Sequence, residues 1–414
     1  MTVILMVSLL GCSGEDNADS LGCSKQLTAT SSGTEVTLKE ADDTFIKAYN
    51  SYAFSLFREC YKAEQGTMMI SPYSIYMALG LLANGADGAT LTQLENALGG
   101  LSVDEMNSYA GKWSQTLCKQ SDSTKFSDAN SIWLNQAYEK GISEAYLRTC
   151  GDYFRASVFS SDFSDTKTVA GDMNKWVKKH TNEMIPELIK PDAIDMDTIA
   201  VLMNAIAFDG KWDEAFEDSD VWEDDFTHAD GSVTTMEMMH ESDKMFYYED
   251  DLCSGFSKDY KDGRYSFRAF LPKEGVSVDE LAEHMTEENY AKLLDDRLFT
   301  KVIIEIPEYT EEYELENMCD SLESLGIVDA FLPGADFSGM SEEISIYVSK
   351  VIHKTKIELN TEGTKAAAAT AVIMTKSAAL VEPEEPKTVY LNSPFLYMIA
   401  DNETDCPVFI GVYQ

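Results

Sequence analysis

Along the first half of the chain the apolar positions recur at helical spacing. In DDTFIKAYNSYAFSLFREC, residues Phe45, Tyr49, Tyr52, Ala53, Leu56, Phe57 and Cys60 share one face, the pattern of an amphipathic helix. After Gly66 a short apolar run, TMMI, has strand character. It leads into Ser71-Pro72, a serine suited to cap a helix and a proline suited to its first position. That helix is expected to stop at Asn84-Gly85. AYLRTCGDYFRASVFSSDF reads as a helix end followed by a strand. Residues from about 165 to 190 read as another amphipathic helix, with Val169, Met173, Trp176, Val177 and His180 turned inward. Beyond residue 198 the pattern changes. TIAVLMNAIAFDGKW is almost continuously apolar, as a strand buried on both faces is. YSFRAFLPKEG, KVIIEIPEYTEEYEL and SIYVSKVIHKTKIELN predict further strands. In the last, Ile346 and Val348, then Val351, His353, Thr355, Ile357 and Leu359, point alternately inward. PFLYMIADNETDCPVFIGVYQ predicts a closing hairpin. Helices lead and strands dominate the second half, so residues 41–414 read as one α+β domain with antiparallel sheets. There is no internal repeat and no Gly/Pro-rich linker within it.

The N-terminus departs from this pattern. MTVILMVSLLGC is apolar but too short to span a bilayer, and it looks like the core of a secretory signal. It closes on Leu9-Leu10-Gly11-Cys12, which resembles the lipobox of bacterial lipoproteins, although no Lys or Arg precedes the apolar run. Residues 1–11 are therefore expected to be a signal segment and Cys12 a lipidated cysteine. Residues 12–40, rich in Ser, Thr, Gly and Asp, are expected to be a flexible polar tether. The acidic SGEDNADS resembles the surface-export tether of Gram-negative lipoproteins. The protein is thus expected at the cell surface or outer membrane, or otherwise secreted, and to meet a membrane only through this anchor.

Charge narrows the partners. The 72 acidic and 32 basic residues give a net charge of −40, which argues against nucleic acid and fits a strongly hydrated surface. The eight cysteines are scattered, without a C-x-x-C pair. If Cys12 carries lipid, seven remain, and at least one has no intrachain disulfide partner.

Enzyme constellations are missing: no G-x-S-x-G, no H-E-x-x-H and no phosphate-binding G-x-x-x-x-G-K-[ST]. GADGAT at 85–90 lacks the lysine that reaches phosphate and reads as a helix-ending turn. His228 and His240 lie among acids near MMHESD, which reads as solvated surface rather than a metal site. Neither metal nor cofactor is expected. His353, mid-strand in apolar surroundings, reads as a hydrogen-bonded core residue.

The stretch TEGTKAAAATAVIMTKSAAL, 361–380, fits none of these elements. Its alanines favour helix, yet it dissolves into Val372-Ile373-Met374, which favours strand. It resembles the hinge and reactive loop of the serpin family: a glycine, a threonine, one variable residue, then small residues. The rest of the chain resembles the same family in order. ISPYSIYMALGLLANGADGAT is similar to its second helix, VLMNAIAFDGKW to its central-sheet strand, VSKVIHKTKIELNTEGT to the strand entering the loop, and SPFLYMIADNETDCPVFIGVY to its closing strands. The resemblance implies a single domain over 41–414 with three β-sheets, eight to nine helices and an exposed reactive-centre loop at about 361–387. It implies a monomeric, non-enzymatic inhibitor of serine proteases, with cysteine proteases as further partners, acting as a suicide substrate. A protease attacks the loop and forms an acyl-enzyme. The cut loop then inserts into the central sheet and carries the protease with it.

On this resemblance Gly363, Thr364, Lys365, Ala366, Ala367, Ala368, Ala369 and Thr370 form the hinge. Side chains alternate along a strand, so Thr364, Ala366, Ala368, Thr370, Val372 and Met374 would share one face, every one small or apolar. Lys365 replaces the family's usual Glu on the other face, and the acid that the family favours near Thr361 is missing. Counting the commonest family spacing from Gly363 reaches Ser377. Some members are cut one residue earlier, at Lys376, which suits trypsin-like proteases through its charge. The expected bond is Lys376–Ser377, with Ser377–Ala378 or Met374–Thr375 as alternatives for elastase- or subtilisin-like enzymes. Ser71, Ser74, Asn204 and His353 match the family's shutter and Trp212 its breach. Residues 107–125 offer Lys112, Lys119 and Lys125 but no basic face of the kind glycosaminoglycans use. A non-inhibitory member acting as a binding protein is the remaining alternative.

Overall fold

Asp42 starts the first helix by accepting from the backbone N–H groups of Thr44 and Phe45, and Ser71 starts the second by accepting from Ser74 N with Pro72 behind it. These are the capping residues that helix starts favour. The fold is that of a computed structural model, which describes residues 21–28, 36–139, 141–196, 198–315, 318–343, 346–349, 351–364 and 385–414. The residues expected to be lipidated (Cys12), to continue the hinge (Lys365, Ala366, Ala367, Ala368, Ala369, Thr370) and to flank the scissile bond (Lys376, Ser377, Ala378) lie outside the described residues.

Among the described residues are nine helices: α1 (Asp43–Glu64), α2 (Pro72–Ala83), α3 (Gly88–Ala97), α4 (Val103–Leu117), α5 (Glu144–Phe154), α6 (Thr166–His180), α7 (Val278–His284), α8 (Glu287–Asp295) and α9 (Met318–Ser324). The strands are β1 (Ser24–Gln26), β2 (Met68–Ile70), β3 (Thr124–Asn135), β4 (Ser157–Ser161), β5 (Ala200–Lys211), β6 (Val221–Thr227), β7 (Val233–Glu249), β8 (Cys253–Asp259), β9 (Tyr265–Pro272), β10 (Leu298–Pro307), β11 (Tyr309–Leu315), β12 (Val351–Asn360), β13 (Gly363–Thr364), β14 (Lys387–Tyr390), β15 (Phe395–Asp401) and β16 (Pro407–Tyr413).

One sheet has the order β1-β4-β3-β5-β13-β12-β11. The other strands follow one path, β14-β10-β7-β8-β9-β15-β16-β2, with β6 beside β7. This path merges two of the three expected sheets, because β7 is long enough to serve both. Residues 233–247 pair with β6 and β10, and residues 246–249 pair with β8. The main core fills the space between the two paths and around α1 and α2, every residue of the latter being buried. A smaller core lies on the other side of the seven-stranded sheet, where Val169, Met173, Trp176 and Val177 of α6 pack on Trp133, Phe159 and Met203.

Three expectations change. The helix expected to reach 190 ends at His180, because Asn182 and Glu183 take positive φ values of 50° and 63°, a conformation that breaks right-handed helix. His180 is exposed, its ring stacked on Trp176. The strand expected from 345 begins at Val351, although Ile346 and Val348 are buried as anticipated. The tether expected over 12–40 does not hold for Ser24–Gln26. These residues pair with β4, and Asp172 of α6 accepts from Gly22 N and Cys23 N at 2.5 and 2.9 Å. Composition hid this, because an edge strand facing water needs no apolar side chains. The seven described cysteines are free thiols, and Cys60, Cys150, Cys253 and Cys406 are buried in the core. No helix among the described residues is long and apolar enough to cross a membrane.

Candidate functional site

The continuous apolar run of β5 and the alternation of β12 make these strands the centre of the seven-stranded sheet. They run parallel but pair only over part of their length, Leu202–Ala205 against Val351–Lys354. Above that, Ile206–Asp209 and Thr355–Glu358 have no pairing with each other among the described residues. At the top the chain turns after Asn360 and re-enters as β13. Gly363 and Thr364 then pair with Lys211 and Gly210 on one side and with Asn360 and Leu359 on the other. The sheet is therefore joined below, wedged above and parted between. A cavity of about 20 Å³ lies in the parting, bordered by Ile206, Phe208, Lys356 and Glu358 and covered by Met184 and Ile185. That is about the room of one water.

The lower margin of the parting is a polar row. Asn130, Asn204 and His353 are direct cross-strand neighbours on β3, β5 and β12. Asn204 Nδ2 donates to Asn130 Oδ1, and Asn130 Nδ2 to Asp128 Oδ1 at 2.8 Å. The other oxygen of Asp128 accepts from Tyr73 OH at 2.8 Å. His353 Nε2 accepts from Ser71 N at 3.0 Å, Ser71 Oγ donates to Val408 O, and Thr355 Oγ1 donates to Met69 O. The accepting Nε2 places the proton of the neutral ring on Nδ1. Burial pulls the His353 imidazole down to about 3 and pushes the Asp128 carboxyl up to about 6. His353 Nδ1 and Asn204 Oδ1, a donor and an acceptor on paired residues, have no hydrogen-bond partner among the described residues, nor does Ser74 Oγ. Such groups cost free energy while unpaired, so the row carries unspent hydrogen-bonding capacity at the point where the strands part. The bonds form two sets, Ser71 with His353 and the backbone N–H of Ser74 in one, and Asn204 with Asn130, Asp128 and Tyr73 in the other; they lie side by side at the paired residues Asn204 and His353 but share no hydrogen bond among the described residues.

The upper margin is built around Trp212. Its Nε1 donates to Asn360 O at 3.0 Å and its backbone N to Glu362 O at 3.0 Å. Its ring stacks on Tyr260, centroids 4.7 Å apart. Tyr260 in turn holds Thr364, hydroxyl to hydroxyl at 2.6 Å. Thr364 is 2% exposed, so the face it begins is the core face. Where the family's acid near Thr361 is missing, Glu308 accepts from Thr361 N at 3.1 Å and fastens the turn from outside. Gly363 permits the close seating: a Cβ there would lie 2.0 Å from Gly210 O. Gly363→Ala is therefore expected to unseat β13 and release the Thr364–Tyr260 bond. The cost is roughly 2–3 kcal/mol, read as a lower thermal midpoint. An unchanged midpoint would contradict this account of the glycine.

Several of these partners were not singled out from the sequence. Asp128 and Asn130 had a signal, polar residues two apart on the strand face that also carries Phe126, Ile132 and Leu134. Glu308 had none, being one acid among 72.

A family model described as Serpin (serine protease inhibitor) matches residues 47–414. An uncharacterized serpin-like protein of Methanosarcina acetivorans is 32% identical over 372 residues, covering 88% of this chain and 84% of that one. The leukocyte elastase inhibitor A of Mus musculus is 32% identical over 374 residues, covering 87% and 96%. The thermophilic serpin tengpin in its native state superposes with a TM-score of 0.85 at 35% identity, covering 94% of this chain and 99% of that one. In its latent state tengpin superposes less closely, at 0.77.

Proposed function

Because the chain belongs to the serpin family, whose members are generally protease inhibitors, we propose that it is a serine-type endopeptidase inhibitor that traps its target covalently and inserts its cut loop between β5 and β12. One observation carries this reading. The central sheet is parted, and Gly363-Thr364, the first residues of the loop, already sit in the top of the parting with Thr364 facing the core. The residues that follow alternate without a charge on that face. A strand of this kind can extend downward, displacing the four β5–β12 pairs as it goes.

In the proposed reaction the protease serine oxygen bonds to the Lys376 carbonyl carbon. The bond to Ser377 nitrogen breaks, Ser377 leaves as the protonated amine, and Lys376 remains as an ester. Insertion competes with hydrolysis of that ester. Small side chains favour insertion because less has to move aside as each enters the sheet. The native state is a kinetic trap on this reading, and the unpaired donor and acceptor at Asn204–His353 are part of what an inserted strand would relieve.

Trypsin mixed with the protein is expected to give a complex that survives denaturing electrophoresis, with a new N-terminus at Ser377. Lys376→Ala should slow complex formation by on the order of a hundredfold or more, since a pocket built for a charge is left unpaired. Clean cleavage without a complex would leave the binding-protein reading standing. A second reading, an elastase-like target cut at Ser377–Ala378, is favoured by the commonest family spacing and by likeness to a protein named as a leukocyte elastase inhibitor. A new N-terminus at Ala378 would decide for it. We further propose that the protein is an exported monomer held to a membrane through lipid on Cys12. Cys12→Ser should then move it from the membrane fraction to the soluble one.

A further inference from the structure

The nine-stranded path carries a separate polar site, on β6, β7 and β10, the last of which borders β14. An open cleft of about 720 Å³ lies over β6, β7 and β10, with Tyr390 of β14 at its edge. On its floor His240 and Glu305 are directly opposite each other in register, so their side chains leave the sheet together. Asp224 of β6 completes the group, and one ligand atom from each residue lies within 4.8 Å of the others. Glu305 is only 5% exposed, and its Oε1 has no hydrogen-bond partner among the described residues. A carboxylate oxygen in such a place costs free energy unless something positive faces it.

Among the described residues the basic group that faces Glu305 is His240, and it does so at long range. His240 Nε2 stands 3.5 Å from Glu305 Oε2, long for a charge-assisted hydrogen bond. The separation is close to the roughly 3.4 Å between ligand atoms of a tetrahedral ion with bonds of about 2.1 Å. The far side of the ring is oriented as a metal-bound imidazole is, with Nδ1 towards Asp220 O at 3.4 Å. Trp222 holds the ring flat, its centroid 3.4 Å away and the planes 8° apart. We propose that Asp224, His240 and Glu305 bind a divalent transition ion of the zinc type. One imidazole with two carboxylates favours such an ion over magnesium or calcium, which take oxygen alone. The ion ties three strands together, and β10 among them pairs with β14, where the chain returns from the loop.

The test uses the full chain, stripped of metal by a chelator and titrated with zinc in a calorimeter. One ion per chain is expected, with a zinc-dependent rise in thermal midpoint. Glu305→Gln, His240→Gln and Asp224→Asn should each weaken binding by roughly tenfold or more, while Glu214→Gln, in the neighbouring acidic trio Glu214, Glu241 and Asp243, should leave it unchanged. Trp222→Phe keeps every ligand. Nickel should quench fluorescence in the parent, and in this variant the quenching should fall while nickel affinity stays the same. Three outcomes overturn the site: no saturable binding, binding lost only with His240, or binding lost with Glu214. Quenching that persists without Trp222 would also place the ion elsewhere.

Discussion

Loop-cleaved protein is expected to melt on the order of 20 °C above the intact form, and Ala368→Glu is expected to abolish that gain together with the covalent complex. The first figure follows from the parting. A strand filling it pairs with β5 and β12 along their open edges, on the order of ten new backbone hydrogen bonds at about 1 kcal/mol each. At about 2 °C per kcal/mol for a large domain, that is a shift of some 20 °C. The second follows from the seating of Thr364. Its hydroxyl meets Tyr260 in the core, and side chains four residues apart in a strand share a face. Residue 368 therefore enters the same layer, and an unpaired carboxylate there costs several kcal/mol. Glutamate adds no tryptic bond, so Ala368→Glu should be cut at the parent's rate and released as product. A variant that still forms the complex, or that still gains thermal stability on cleavage, would sink the insertion mechanism.

Acid should act on the sheet through two buried groups of opposite sign. His353 has an ordinary unfolded value near 6.5 and a folded value of about 3. The unfolded chain thus binds the proton more readily. Stability from this residue is full above 6.5 and is lost as pH falls towards 3, by roughly 5 kcal/mol in all. Asp128 runs the other way. Its folded value of about 6 lies above its ordinary value of 3.8, so the native state binds the proton first. A penalty of about 3 kcal/mol present above pH 6 is relieved as pH falls through 6 towards 3.8. The two nearly cancel between pH 6 and 4, and single variants should separate them. Relative to the parent, His353→Gln should gain thermal midpoint on going from pH 7 to pH 4, and Asp128→Asn should lose it. Parallel curves for parent and both variants would contradict the assignment.

Much of this was legible beforehand, for physical reasons. Ser71-Pro72, the near-continuous apolar run 199–208 and the alternation of 351–359 each impose one local solution, and the helix and strands appear there. The pattern of apolar residues continues past His180 although α6 ends there; Ile185, Leu188 and Ile189 are buried, but from irregular chain, not a helix. Periodicity reports burial and not the backbone path that achieves it. The polar row was half legible. His353 stands out against apolar neighbours and Asn204 matches the family's shutter, whereas Asp128 and Asn130 lie over seventy positions earlier in the chain and meet them only through the order β3-β5-β12. The grouping of Asp224, His240 and Glu305 required the register of three strands, which no spacing along the chain encodes.

The short strand β1 settles how far the body could stand from an anchor. With lipid on Cys12 and the chain fastened from residue 21 onward, only nine peptide steps separate them, a reach of about 32 Å at full extension. A free chain to residue 41 would allow about 100 Å. Ser24 meets Ser161, which meets Asn135, and Asn135 is at the opposite end of β3 from Thr124, the neighbour of Gly210. The chain thus joins the body at the pole away from Gly363. An anchored molecule would stand close to the lipid with Gly363 and Thr364 at the end turned away from it.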